Sequence, residues 1–185
     1  MSNFFLETLF MIIKKILFTI MLDVKNLPEY EEIKNLERIA KKDGSSISYE
    51  QLIGIWKFNS VWKKGSDQID NLSSAILQVL SAKLELKKKN SKTSNLNFEI
   101  KNSISFGVLS IVFYGHASLR GIRPLLPFYF ENLSINIGKF TLVKKLLKKP
   151  EEKRMPFFSL IAMSKEKNWM CARGRGGGLA IWIKS

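Results

Sequence analysis

The chain has 185 residues and is 45% hydrophobic, which is enough for one domain with its own core and excludes wholesale disorder. Its formal net charge of +14 predicts attraction to polyanions such as nucleic acid, acidic proteins or anionic lipid head groups. Because Cys171 is the only cysteine, an intrachain disulfide and a zinc site built from several thiolates are excluded, and the chain suits a reducing compartment.

The first segment, residues 1–22, is strongly apolar. It is interrupted by three charged side chains, Glu7, Lys14 and Lys15. A membrane-spanning helix needs about 20 mostly apolar residues, and a secretory signal carries its charges before the apolar run, so neither pattern fits. Two interpretations stay open: an interfacial membrane helix, or a translation start that lies at Met11 or Met21 instead of Met1.

The second segment, 23–44, predicts a helix over 28–42 on the outside or across one mouth of the body. Proline suits a first turn, and the glutamates that follow it complement the positive end of the helix dipole. Gly44 ends the helix and opens a short linker. The remaining residues, 45–185, are expected to form a β-barrel domain.

Alternating apolar and polar residues predict strands through this third segment. The clearest alternation covers 96–106, and a run that is apolar on both faces covers 108–114. Within 128–137 the apolar residues change from even to odd positions, which predicts a β-bulge. A hairpin is expected over 157–175 and a last strand at 179–183.

Three stretches do not alternate. Apolar residues at helical spacing predict a short helix within 67–80, after the first strand. The lysine-rich stretch 87–94 is expected to be a mobile hairpin loop, and 141–148 to be a loop or a basic helical turn. Many short strands separated by turns are typical of a barrel or a sandwich.

Catalytic motifs are lacking in the sequence. His116 is the only histidine, and neither a nucleophile elbow nor a phosphate-binding loop is present. We therefore expect no catalytic residue, no metal, no cofactor and no enzymatic activity, with a structural or surface role for His116. Cys171 is expected to be a small buried residue; a reactive thiol, activated by a nearby arginine, is the alternative.

Two motifs mark the ends of the strand-rich region. Gly54 and Trp56 open it, and the run from Arg173 to Gly178 precedes its last strand. Arg/Gly segments bind RNA when they are disordered and repeated, but this single copy lies between two apolar strands. It therefore predicts a tight turn with positive φ and an arginine that has a structural partner.

Together these end motifs resemble those of the plastid lipid-associated proteins, or fibrillins, of plastids and cyanobacteria. The matching residues are Leu52, Gly54, Trp56, Arg173, Gly174, Gly177 and Leu179. The resemblance implies a mainly β fold, a lipocalin-like (calycin) antiparallel β-barrel. It also implies barrel closure by Gly54, Trp56, Arg173 and Arg175, with a late-strand arginine packed over the tryptophan. The acidic residues that precede the family's arginine are absent here.

The function that this resemblance implies is binding of a small hydrophobic molecule, a lipid, carotenoid or prenyl quinone, near photosynthetic membranes. The protein would then be cytoplasmic or peripheral to the thylakoid membrane, with contact between its basic surface and anionic lipid. The inward-facing candidates for ligand binding are Trp56, Phe58, Phe98, Phe106 and Phe113. The apolar loop 122–128 is expected to cap the mouth or touch a membrane.

Two other functions remain open. A lipocalin-type bilin lyase or chromophore chaperone would need polar or arginine contacts inside the pocket, with Arg173 or Arg175 turned inward beside Cys171. A basic nucleic-acid-binding barrel would expose aromatic side chains on a basic face. Only six of the thirty basic residues are arginine, the side chain that reads phosphates and bases in two-pronged contacts, so nucleic acid is the less expected partner.

Overall fold

The computed structural model describes residues 27–89, 97–164, 166 and 168–185. The predictions for residues 1–22 and for most of the loop 87–94 lie outside these residues. Within the described ranges the elements are helices α1 (Tyr30–Asp43), α2 (Tyr49–Leu52) and α3 (Asn71–Val79), a 3-10 turn (Glu152–Arg154), and strands β1 (Gly54–Trp62), β2 (Lys83–Lys88), β3 (Asn97–Phe106), β4 (Leu109–Ser118), β5 (Leu125–Ile137), β6 (Phe140–Leu146), β7 (Phe157–Ser164), β8 (Trp169–Gly174) and β9 (Leu179–Lys184).

Eight of the described strands close into an antiparallel barrel. Their order around the wall is β1-β2-β3-β4-β5-β7-β8-β9, and β9 pairs back onto β1. Phe58 lies opposite Trp182 at this seam. The predicted fold class, a mainly β protein with a lipocalin-like barrel, is therefore confirmed, and so is the expectation that the first and last strands meet.

The bulge predicted in β5 is present. Gly115 of β4 pairs with Phe130, whereas its neighbour Tyr114 pairs with Asn132, so Glu131 is the extra residue. A Cβ atom on Gly115 would overlap the β5 backbone at this point. Glycine therefore lets the two strands approach closely enough for the bulge to form.

The segment 141–148 is neither a loop nor a helical turn, and this prediction is wrong. Most of it belongs to β6, which pairs with β5 from Phe140 to Leu146. Every residue of β6 is exposed, and its second edge has no partner strand among the described residues. When both faces of a strand are exposed to solvent, its apolar and polar residues need not alternate. The sequence of β6 therefore carries no strand pattern.

Helix α1 packs on the outside of the barrel. Its Ile33 is fully buried against Trp62, Cys171 and Ile181, which point outward from the wall. The protein therefore has a second core beneath α1, separate from the core inside the barrel.

Helix α3 completes the barrel wall where β2 is too short. Strand β2 pairs with β1 only as far as Lys57. Beyond that point the Ser74 hydroxyl accepts a hydrogen bond of 3.0 Å from the Val61 amide. The predicted helix after the first strand is present, and it satisfies backbone groups that a longer β2 would otherwise bind.

Candidate functional site

One end of the barrel interior is tightly packed. Its largest side chains are at most 1% exposed: Trp56, Leu86, Phe98, Leu126, Leu160 and Met170. Helix α2 covers this end, where the Tyr49 ring stacks on Phe98 with 4.2 Å between ring centroids. This half of the interior is core.

Gly54, Trp56 and Lys184 close the same end. The Trp56 indole donates a hydrogen bond of 2.8 Å to the Leu52 carbonyl, and the Lys184 ammonium lies 5.1 Å from the centroid of its ring. Gly54 has φ +139°, and a Cβ there would lie 2.9 Å from Cε of Lys184. The glycine therefore leaves space for the lysine stem to cross the tryptophan, a favourable cation–π arrangement.

The expectation that Arg173 packs over Trp56 is wrong. Successive strand residues point to opposite faces, and because Ala172 points into the barrel, Arg173 points out. Its guanidinium donates bonds of 2.8 and 2.7 Å to the two carboxylate oxygens of Glu37 on α1, and another of 2.7 Å to the Gly177 carbonyl. Lys184 supplies the cation over the indole instead.

The predicted tight turn between the last two strands is confirmed. Gly177 has φ +89°, and its amide donates a 2.8 Å bond to the Gly174 carbonyl. Arg175 donates to the carbonyls of Met155 and Lys153 and so holds the 3-10 turn, away from Trp56. Both arginines have structural partners, and neither closes the barrel in the expected way.

The other half of the interior contains six aromatic rings in continuous contact. We call them the aromatic chain; in order of contact they are Phe58, Trp182, Phe158, Phe128, Phe130 and Phe113. Neighbouring ring centroids lie 6.4, 5.3, 5.0, 5.5 and 5.3 Å apart. Trp182 is buried, whereas the five phenyl rings are only half-buried. Solvent therefore reaches an apolar, aromatic surface inside the barrel.

The five sequence-predicted ligand residues fall into three groups. Phe58 and Phe113 belong to the aromatic chain, whereas Trp56 and Phe98 lie in the packed core. Phe106 is 64% exposed at the tip of the β3–β4 hairpin, so the expectation that it faces an enclosed interior is wrong. Strand β3 continues past the enclosed part of the barrel before it turns.

Four members of the aromatic chain were missed: Phe128, Phe130, Phe158 and Trp182. A signal for two of them was present, because Phe128 and Phe130 alternate in a predicted strand just before its bulge. Phe158 and Trp182 stand next to other apolar residues, so the sequence does not indicate which of them point inward.

The charged and nucleophilic side chains lie outside this interior. His116 is on the outer wall, with Nε2 at 3.3 Å from the Glu131 carboxylate. Cys171 is fully buried beneath α1, and desolvation raises the pKa of its thiol in spite of nearby Arg173. The reactive-thiol alternative is therefore contradicted. Among the described residues, no three His, Cys, Asp or Glu side chains come together as a metal site.

A cleft of about 860 Å³ lies outside the barrel, between the start of α1 and α3. Its lining mixes the rings of Tyr30 and Trp62 with the polar groups of Glu29, Asp67 and Gln78. A small apolar ligand is usually enclosed on most sides, whereas this cleft is open to solvent on the outside of the barrel.

Neither a protein-family model nor a curated protein matches this chain. Of the helices in the described residues, none is long and apolar enough to cross a membrane.

Proposed function

We propose that this protein is a non-enzymatic binding protein that holds one small hydrophobic molecule against the aromatic chain. The observation that carries the proposal is the half-burial of the five phenyl rings of the aromatic chain inside a closed barrel. Barrels of about eight strands are wide enough for side chains or for one small ligand. Covering these rings would remove apolar surface from water at roughly 25 cal/mol per Å².

The ligand would enter from the end away from Trp56. The Trp56 end is closed by α2 and by the Lys184 side chain, and its core side chains are fully buried. At the other end the phenyl rings of the aromatic chain can change rotamer without breaking a hydrogen bond, because they carry no polar atom. Ring rearrangement of this kind would open the space that the ligand fills.

The candidate ligands, a lipid, a carotenoid or a prenyl quinone, come from the resemblance to fibrillins, as does the site of action near photosynthetic membranes. A ring system or a polyene chain would suit the aromatic surroundings, because extended apolar molecules pack well on the faces of aromatic rings. The missing acidic residues before Arg173 leave the specific ligand open among these three classes.

The bilin-lyase alternative has less support. It needs Arg173 or Arg175 inside the barrel near Cys171, yet both arginines bind partners on the outside and Cys171 lies beneath α1. The aromatic chain gives no support to the nucleic-acid alternative, because its rings face inward and are not offered to the bases of an extended strand.

Extraction of the protein from its native cells tests the proposal. The full chain is purified without detergent, extracted with organic solvent and examined by mass spectrometry, beside a Phe128→Ala, Phe130→Ala double variant and a matched Ile55→Ala variant on the outer wall. We expect one apolar compound at near-stoichiometric yield, retained by Ile55→Ala and depleted in the double variant. A retained bilin, or nucleic acid alone, would contradict the proposal.

A further inference from the structure

Large apolar side chains are exposed at one end of the barrel. This end is opposite α2, because the Tyr49 hydroxyl of α2 binds the Asn97 carbonyl at the start of β3 while the exposed tip follows the end of β3. We call the exposed set the apolar rim: Leu72, Ile76, Val79, Phe106, Val108 and Phe140. Their exposed fractions are 73, 49, 65, 64, 70 and 79%.

The rim is one continuous surface. The Ser105 amide donates a 2.6 Å bond to the Leu80 carbonyl and thus joins β3 to the end of α3. The Gly138 amide donates a 2.7 Å bond to the Val108 carbonyl and thus joins the β5–β6 turn to the β3–β4 turn. Helix α3 and the two hairpin tips therefore present their apolar side chains side by side, and contiguous patches of this kind mark interaction sites.

Positive charge lies at the rim and along the strand that leads away from it. Lys139 lies in the β5–β6 turn, Lys144 and Lys145 lie in β6, and Lys148 follows it. The stretch 138–149 contains no acidic residue. None of these four lysines forms an ion pair within the part of the chain that the structure describes.

We propose that the apolar rim is a docking surface for a bilayer that contains anionic lipid. The apolar side chains enter the boundary between head groups and acyl chains, and Lys139, next to Phe140 in the β5–β6 turn, pairs with a lipid phosphate. The lysines farther along β6 add attraction to the anionic surface. This docking surface gives a location to the contact with anionic lipid that the resemblance to fibrillins implies, and in that respect it rests on the proposed function. It also turns the open end of the barrel, where a ligand would enter, toward the lipid.

Two other occupants fit the rim less well. A second copy could pair along the edge of β6 that has no partner among the described residues, but this would bring Lys144 and Lys145 of both copies together. Edge lysines are a common protection against such pairing. Nucleic acid stacks on aromatic rings, and the rim has two of them, Phe106 and Phe140. Its other four members are aliphatic and offer no stacking face, so the rim suits acyl chains better than bases.

Sedimentation with vesicles tests the proposal. The full chain is mixed with vesicles of phosphatidylcholine alone, or of an equimolar mixture of phosphatidylcholine and phosphatidylglycerol. We expect binding to the anionic mixture that weakens with added salt, and little binding to phosphatidylcholine alone. A Phe106→Ser, Phe140→Ser double variant should bind at least about tenfold more weakly, since two phenyl rings no longer leave water.

Matched control variants separate the contribution of the rim to vesicle binding from the contribution of the overall surface charge. Lys139→Gln should weaken binding by about fivefold. Lys144→Gln with Lys145→Gln should weaken it by less for each lysine, because both lie farther along β6. Lys42→Gln with Arg123→Gln removes the same charge elsewhere and should have a smaller effect. Ile122→Ser changes an apolar side chain that is 85% exposed at the opposite end, and it should leave binding unchanged.

A site-specific probe gives a second measurement that does not depend on destabilising variants. Cys171 is buried, so a thiol-reactive, polarity-sensitive dye on Val108→Cys labels one position. We expect its emission to shift to the blue on anionic vesicles, and the same dye on Ile122→Cys to stay unchanged. The proposal is overturned if only the Ile122→Cys probe shifts, if the rim variants bind vesicles normally, or if they change only self-association or DNA binding.

Discussion

The Arg173 guanidinium and the Glu37 carboxylate form two short hydrogen bonds across 136 positions of the chain. Glu37 is 7% exposed and the Arg173 side chain is half-buried, so this ion pair lies at the edge of the second core. The pair fixes α1 against the outer wall of the barrel and gives the conspicuous arginine of the C-terminal motif a structural role.

Glu37→Gln should lower the free energy of unfolding by about 3 kcal/mol. Hydrogen bonds to charged groups contribute about 1.5–3 kcal/mol, and the half-buried Arg173 side chain loses its carboxylate partner while it still donates to the Gly177 carbonyl. Urea denaturation followed by tryptophan fluorescence measures the change. Glu31→Gln, at an exposed pair with Lys34, is the control and should stay within about 0.5 kcal/mol of the parent. A loss at Glu37 no larger than this would show that the pair does not fix α1.

The same pair predicts a dependence on acid. The hydrogen bonds from Arg173 hold the pKa of Glu37 below its ordinary value of about 4.3. A carboxylate whose pKa is lower in the folded state stabilises the fold at pH values above its ordinary, unfolded-state pKa. That stabilisation is lost as the pH falls through the unfolded-state pKa toward the folded-state pKa. The difference in urea midpoint between the parent and Glu37→Gln should therefore be constant above about pH 5.5 and shrink below about pH 4.5. A difference that grows on acidification would contradict this assignment.

Gly115→Ala should destabilise the fold by more than about 3 kcal/mol or prevent folding. A Cβ at this position would overlap the carbonyl oxygen of Tyr129, and a backbone atom can yield only by disrupting the bulge. Gly174→Ala is the matched control, because the nearest atom to its Cβ would be 3.8 Å away. Thermal unfolding should give the control a midpoint within a few degrees of the parent, and equal midpoints for both variants would refute the packing at Gly115.

Much of this fold could be predicted from the sequence, because the information is local. The alternation in β3 and the phase change in β5 each lie within about a dozen neighbouring residues, and both predictions are confirmed. Strand β6 could not be predicted, since it is exposed on both faces and its hydrogen bonds alone make it a strand.

The errors at the end motifs have a different cause. The partner of Arg173 lies on α1, and the cation over Trp56 comes from Lys184 instead of Arg173. A single sequence does not record contacts between distant positions. The same limit applies to the aromatic chain, whose six rings come from five different strands.

Cys171 should resist thiol reagents in the folded protein. The side chain is fully buried beneath α1, and burial raises the pKa of its thiol, so the reactive thiolate is scarce. Reaction with an aromatic disulfide reagent should be slow at neutral pH and immediate and stoichiometric in urea. Rapid labelling of the native protein would mean that α1 detaches readily from the barrel.

The most direct test of ligand binding at the aromatic chain is quenching of tryptophan fluorescence by a short-chain prenyl quinone. Trp182 belongs to the aromatic chain, whereas Trp169 points outward beneath α1. The parent and Trp169→Phe should show the same saturable quenching, and Trp182→Phe should lose most of it. Saturable quenching that is undiminished in Trp182→Phe, or that disappears in Trp169→Phe, would contradict binding at the aromatic chain.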